Sequence, residues 1–144
     1  MRFPSVEWFN AVAAEFNADE TFQGAGGGAC NALMGLKIGS KHYLVTFEGV
    51  ECAGAREVDI SELDAADFYL DMAPADWRAM IENIAANGHA SLHHTLNTLD
   101  LDRPDGLAHS SHNDQYREDL FFRYNQTLQY YFDASARIAT EFAD

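Results

Sequence analysis

Residues 30–49 read CNALMGLKIGSKHYLVTFEG. Successive side chains of an extended strand point to opposite sides, so Cys30, Ala32, Met34, Leu36 and Ile38 share one apolar face. Gly39-Ser40 forms a two-residue hairpin turn, and the returning run places Tyr43, Val45 and Phe47 on one side. A second tight turn at Gly49-Val50-Glu51 leads into CAGAREV. Strands joined by connections this short must run antiparallel, because a parallel crossover needs a dozen or more residues. The meander therefore argues against an all-helical or doubly wound parallel fold.

On the N-terminal side, Ser5 can cap a helix on which Val6, Phe9, Val12, Ala13 and Phe16 recur at helical spacing. The run GAGGGAC then resembles a phosphate-cradling loop in composition only. Such loops follow a strand and open a helix, whereas this one follows a helix and enters a strand, so it reads as a connector. On the C-terminal side, ISELDAA is a polar connector. DFYLDMA alternates again, with Phe68, Leu70 and Met72 opposite Asp67, Tyr69 and Asp71. Pro74 sits at the first position of a helix whose apolar side is Trp77, Met80, Ile81 and Ile84, and Gly88 ends it. HHTLNTLDLD is expected to be the last strand, and Arg103-Pro104-Asp105-Gly106 a turn. From residue 112 to 144 the pattern predicts an extended C-terminal helix, with the whole of 1–144 as one domain.

Charge narrows the partners. The formal net charge is −14, with Lys37, Lys41 and seven arginines as the only Lys and Arg side chains. Nucleic acids and anionic bilayers recruit lysine and arginine, so neither a nucleic-acid partner nor stable membrane association is expected. A phosphate-rich ligand would meet a repulsive field, which favours a neutral one. The N-terminus lacks a basic start followed by an apolar run, no stretch approaches a membrane span, and EFAD is neither a prenylation box nor a peroxisomal address. A cytoplasmic location follows as the expectation, with Cys30 and Cys52 as reduced core thiols.

On a helical wheel of the C-terminal segment, Leu120, Phe121, Tyr124, Leu128, Tyr131, Phe132, Ile138 and Phe142 fall in one arc. Phe122 lies on the polar side and Tyr130 outside the stripe. An isolated exposed ring and a partner contact are both open readings of Phe122. About 29 residues of helix would span roughly 43 Å, somewhat more than the diameter of a domain with a radius of gyration near 15 Å. That helix must break, overhang or pack on a neighbour, and a homodimer through it is the preferred expectation.

The order of elements resembles the sterol carrier protein type 2 domain family. SVEWFNAVAAEFNAD, the glycine-bearing loop, a meander ending in GVECAGAREVD, and DAADFYLDMAPADWRAMIENI carry the likeness over residues 5–102. The chain departs from the family at HHTLNTLDLD and in its longer, more aromatic C-terminal segment. The resemblance implies the α+β class, an α/β sandwich with a mostly antiparallel sheet of about five strands and helices on one face, and a hydrophobic tunnel between sheet and helices for sterols or acyl chains. Transferred by position, its lining would be Met34, Leu36, Val45, Phe47, Phe68, Leu70, Met72, Trp77 and Met80. Phe121, Tyr124 and Leu128 would meet it from the C-terminal segment, which could cap the tunnel, fill it or form a dimer contact.

Candidates for chemistry are few. His89 and His93 are four apart, but with Gly88 before them and no third ligand they do not make a metal site. No Ser-His-acid or Cys-His arrangement is legible, so no catalytic residue, cofactor or metal is assigned. Near His109 and His112, a serine of the pair Ser110-Ser111 reads as a helix cap. Asp71 and Asp100 would gain acid–base character only if buried, and strand alternation puts Asp71 with Asp67 on a solvated face. Arg117, within the apolar arc, either reaches water along its stem or binds a ligand carboxylate. The expected function is non-enzymatic binding or transfer of a neutral lipid, sterol or terpenoid, with Asn97, Tyr124 or Arg117 orienting one end. A small isomerase or cyclase, and an accessory subunit with a filled tunnel, stand as the alternatives.

Overall fold

The computed structural model describes residues 1–22, 29–110 and 114–142. The glycine-bearing connector at 24–28, Ser111 and His112 lie outside them. The chain opens with β1 (Arg2–Phe3) and α1 (Val6–Ala18). The Ser5 hydroxyl accepts the Trp8 N–H at 3.0 Å and so satisfies one of the unpaired donors of the helix start. Trp8, Phe9, Val12, Ala13 and Phe16 form the buried stripe of α1.

The meander follows as β2 (Ala32–Ile38), β3 (Lys41–Glu48) and β4 (Glu51–Val58). Gly39 and Gly49, each at φ 62°, make its two turns in the left-handed region that glycine enters without penalty. A 3₁₀ turn at Ile60–Ala65 then brings the chain to β5 (Phe68–Met72) and α2 (Pro74–Asn87). Pro74 occupies the start of α2, and Gly88 closes it at φ 82°. The 3₁₀ turn and the segment after it press on the outer face of the sheet. A Cβ on Gly35 would stand 2.8 Å from that of Tyr69 and 2.9 Å from a Leu63 methyl, so only glycine fits there. Leu44, Val58, Leu63 and Ala66 form the small outer core that this approach creates.

Two elements differ from the sequence expectation. Residues 96–101 are not a strand but α3 (Leu96–Leu101), capped by the Thr95 hydroxyl, which accepts the Thr98 N–H. Leu96 and Leu99 are buried while Leu101 is 75% exposed, a three-residue spacing rather than strand alternation. The fifth strand is instead β6 (Ala108–His109), beyond the Arg103–Gly106 turn. The sheet order is β4-β3-β2-β5-β6, with β5 parallel to β2 and the other pairs antiparallel.

The C-terminal segment is likewise not one helix. It comprises α4 (Gln115–Arg123), α5 (Asn125–Asp133), a 3₁₀ turn at Ala134–Arg137 and β7 (Glu141–Phe142). Tyr124, at φ −104° and ψ 11°, marks the break without proline or glycine. The cause is tertiary. Phe121 packs on Phe68 of β5, whereas Tyr131 packs on Phe47 of β3, and one straight rod does not serve both contacts on a twisted sheet. The chain then turns back, and β7 pairs in parallel with β1. Because the segment folds back, the length argument for a homodimer no longer holds. Among the described residues, no helix is long and apolar enough to cross a membrane.

At one edge of the sheet, β4 would present unpaired backbone groups, a template for unwanted strand pairing. α1 lies against it, and two asparagines seven residues apart take the place of a neighbouring strand. Asn17 accepts the Cys52 N–H at 2.8 Å and donates to the Cys52 carbonyl at 2.9 Å. Asn10 accepts the Ala55 N–H at 2.9 Å, next to the register shift that follows Thr46. Replacing Asn17 by leucine strands both Cys52 groups, at a cost of about 1–3 kcal/mol per buried unpaired group. Denaturant unfolding should show that loss, with greater protease sensitivity at β4.

Candidate functional site

The inner face of the sheet is one apolar wall. Val45, Met34 and Phe68 lie in register across β3, β2 and β5, and Tyr43, Leu36 and Leu70 form the next row. Phe47 and Met72 extend the wall, and Trp77 and Met80 of α2 belong to the same buried cluster. The Trp77 indole N–H donates to the Lys37 carbonyl at 3.1 Å, which fixes the ring against β2. Three of the four methionines, Met34, Met72 and Met80, sit in this interior. Thioether side chains are unbranched and repack at low cost, as in proteins that accept varied apolar partners.

The C-terminal segment lies directly on this wall. Phe68 and Phe121 meet edge to face with centroids 5.9 Å apart, Phe47 and Tyr131 at 5.4 Å, and Trp77 and Phe132 at 5.8 Å. Leu128 is fully buried between these contacts along the helix. The two halves of the cover are held very differently. α5 buries Leu128, Tyr131 and Phe132, and is also tied by polar side chains. Gln129 accepts the Leu96 N–H at 2.7 Å, and Asp133 accepts the Ala90 N–H at 3.0 Å. The buried residues of α4 are Leu120 and Phe121 alone, and Tyr116 and Phe122 stand 69% and 52% exposed. Tyr130, outside the helical stripe, packs on Phe22 at 5.7 Å.

The polar residues expected to orient a ligand lie outside the registered rows of the wall. Asn97 is exposed on α3. Arg117 is half-buried and lies 3.5 Å from Asp114, one turn back at the start of α4. Tyr124 is half-buried at the break, under the Arg123 guanidinium at 5.6 Å. Asp71 is solvated and paired with Lys37 at 3.7 Å, whereas Asp100 shapes the turn before β6 by accepting the Leu107 N–H at 2.7 Å. His89 Nδ1 lies 3.0 Å from the Ala90 carbonyl, and among the described residues no group of His, Cys, Asp or Glu is placed to hold a metal. Cys30 and Cys52 are free and buried, and burial pushes both thiols up to about 12.

The interior does contain one polar group that strand alternation by itself assigns to an apolar face. Tyr43 is fully buried, its ring 4.8 Å from that of Phe9, and its hydroxyl has no hydrogen-bond partner among the described residues. Other buried rings with polar atoms are satisfied: Trp8 donates to Thr140 at 3.0 Å, and the Tyr131 hydroxyl donates to the Phe9 carbonyl at 3.0 Å. Burial, then the Glu57 and Glu7 carboxylates, push the Tyr43 phenol up to about 12. A tyrosine among alternating apolar residues was the available signal. Hollows also open at the surface, one of about 270 Å³ between β1, β7 and the start of α2, where Arg78 overlies Phe142. Another of about 480 Å³ lies by Asn10 and Gly54. Neither is bordered by the residues named for the tunnel.

No protein-family model matches the chain, and no curated protein is similar to it in sequence. In structure it is similar to the conserved hypothetical protein TT1886 of Thermus thermophilus, a protein suggested to be a sterol carrier protein. The TM-score is 0.62 at 17% identity, over 95% of this chain and 90% of the other. That likeness establishes a shared α+β fold.

Asp133 gives the α5 anchor a pH dependence. Burial raises its carboxyl above the usual 3.8, against the lowering effect of the Ala90 N–H, the Gln129 amide and nearby His89. The folded protein therefore holds this proton more tightly than the unfolded chain. Its contribution to stability is greatest below 3.8 and declines as pH rises through the folded-state value. Asp133→Asn keeps an acceptor for Ala90 without the charge. Its stability relative to the parent should rise as pH increases above 3.8 in denaturant titrations, because this slope is removed.

Proposed function

We propose that the protein is a non-enzymatic binding module for a neutral, hydrophobic small molecule, held between the inner face of the sheet and its helical cover. The observation that carries this is the unequal attachment of the cover. α5 is locked by buried rings and backbone-directed hydrogen bonds, while α4 buries Leu120 and Phe121 alone and rests on Phe68 through Phe121. Outward movement of α4 withdraws Phe121 and exposes Phe68, Met34 and Leu36 as a floor. An apolar ligand taking the place of Phe121 recovers the buried area at about 25 cal/mol per Å², and the neighbouring methionines adjust to its shape. The acidic surface favours an uncharged ligand. The structural likeness to a suggested sterol carrier supports the same reading.

The ring contacts Phe68–Phe121, Phe47–Tyr131 and Trp77–Phe132 favour one other reading, an accessory protein whose interior is permanently filled by its own side chains. Solvent extraction of the purified protein separates the two. A binding module should release about one neutral apolar molecule per chain on mass spectrometry, or take up a fluorescent apolar probe when stripped. Phe121→Ala, which opens room under α4, should tighten probe binding while costing about 3–5 kcal/mol of stability. An empty extract with no probe uptake by either protein would falsify the carrier reading.

A further inference from the structure

The buried Tyr43 hydroxyl requires an explanation that packing does not supply. Folded proteins almost always pair their buried polar groups, since stranding one costs most of its desolvation. Among the described residues, the polar atoms of Trp8, Trp77 and Tyr131 all have partners, and that of Tyr43 does not. His94 Nδ1, Asn125 Nδ2 and Ser135 Oγ are also unpartnered, but they lie before α3, at the start of α5 and in the 3₁₀ turn after it, not on the sheet. Phenylalanine would fill the Tyr43 site without stranding an oxygen.

Position adds a second argument. Tyr43 stands on the same wall as Phe68, opposite Leu36, which is in turn opposite Leu70. Phe68, the residue under Phe121, is two strands across and two residues along, a diagonal of about 12 Å at usual strand spacings. A molecule entering where α4 lifts and lying along that diagonal covers Met34 and Leu36 and ends at the Tyr43 ring. The surroundings of the hydroxyl then select what it meets. The phenol keeps its proton throughout the physiological range and so is available as a donor. Glu57, directly across the strand pair, and Glu7 of α1 make the site unfavourable for a carboxylate or phosphate.

We propose that Tyr43 is the polar anchor of the site, donating a hydrogen bond to a neutral oxygen at one end of an elongated, otherwise apolar ligand, a ketone or an alcohol. This rests on the binding function proposed above, and the experiment separates the failure of one from the failure of the other. Nile red bound to the stripped protein is displaced with decyl methyl ketone and with dodecane. The unmodified protein should prefer the ketone by about 3- to 10-fold, the range of one net hydrogen bond. Tyr43→Phe should abolish the preference, leave dodecane binding within about twofold, and unfold at the same or a higher denaturant concentration, since a stranded hydroxyl is removed. Equal binding of the two probes by the unmodified protein overturns the anchor and leaves the apolar site standing, as does a preference that survives Tyr43→Phe. Failure of Nile red or both competitors to bind overturns the anchor and the site together. The preference in the unmodified protein is measured without the variant, so a folding defect in Tyr43→Phe does not remove the test.

Discussion

Covering the inner face of the sheet is the constraint to which the rest of the molecule answers. Two registered rows, Tyr43-Leu36-Leu70 and Val45-Met34-Phe68, place six large side chains on one side of three strands. Left in water, each fully apolar one of these would forgo about 1.5–3 kcal/mol of burial. No single helix is wide enough to cover such a surface. α1 covers the β3–β4 side through Phe9 and Phe16, α5 sets Tyr131 on Phe47, and α4 reaches Phe68 with Phe121. The break at Tyr124 and the return of the chain to pair with β1 both serve this division of the surface.

The same constraint explains where polar chemistry is concentrated. Between α2 and the first residue of α3 the chain has no regular partner, and several of its N–H groups are bound by side chains. Asp133 takes Ala90, Asn83 takes Ser91 and Gln129 takes Leu96. On the opposite side, Asn10 and Asn17 serve as a substitute strand for the β4 edge. Both sets of contacts hold helices to their neighbours by hydrogen bonds that buried backbone cannot do without. Among the described residues, α4 lacks comparable ties to the strands beneath it. Polar anchoring thus falls unequally on the elements of one layer.

A wall rich in methionine, a lightly held cover and one stranded phenol belong together physically. A core selected only for stability would replace the phenol by phenylalanine and at least some thioethers by branched aliphatic residues, which pack with better-defined rotamers. The arrangement found gives up some of that rigidity in the region where an apolar molecule would have to enter. The carboxylate registered with these rows is Glu57, exposed on β4 beside Tyr43, whereas Asp71 is solvated, Asp100 is committed to a turn, and Asp133 faces the segment at Ala90. Along β3, β2 and β5 those rows therefore present apolar side chains and one neutral hydroxyl.

Local rules sufficed for much of the fold. Strand alternation and the turns at Gly39 and Gly49 specified β2 to β4, Ser5 and Pro74 located two helix starts, and Gly88 ended α2. The apolar wall was legible for the same reason, because a period of two assigns each side chain to a face without knowledge of its neighbours. Residues 96–101 were not legible, since a short run such as LNTLDL satisfies both periods until Leu96 and Leu99 find their burial. The break at Tyr124 has no local cause and arises only when two rings of one segment must reach different strands. Nor could the sequence show that Tyr43 is without a partner, because a side-chain hydrogen bond depends on what the folded chain brings within about 3 Å. Sequence alone determined which faces are apolar; tertiary structure decided what covers them and which polar atoms are left over, because those depend on distances between segments far apart in the chain.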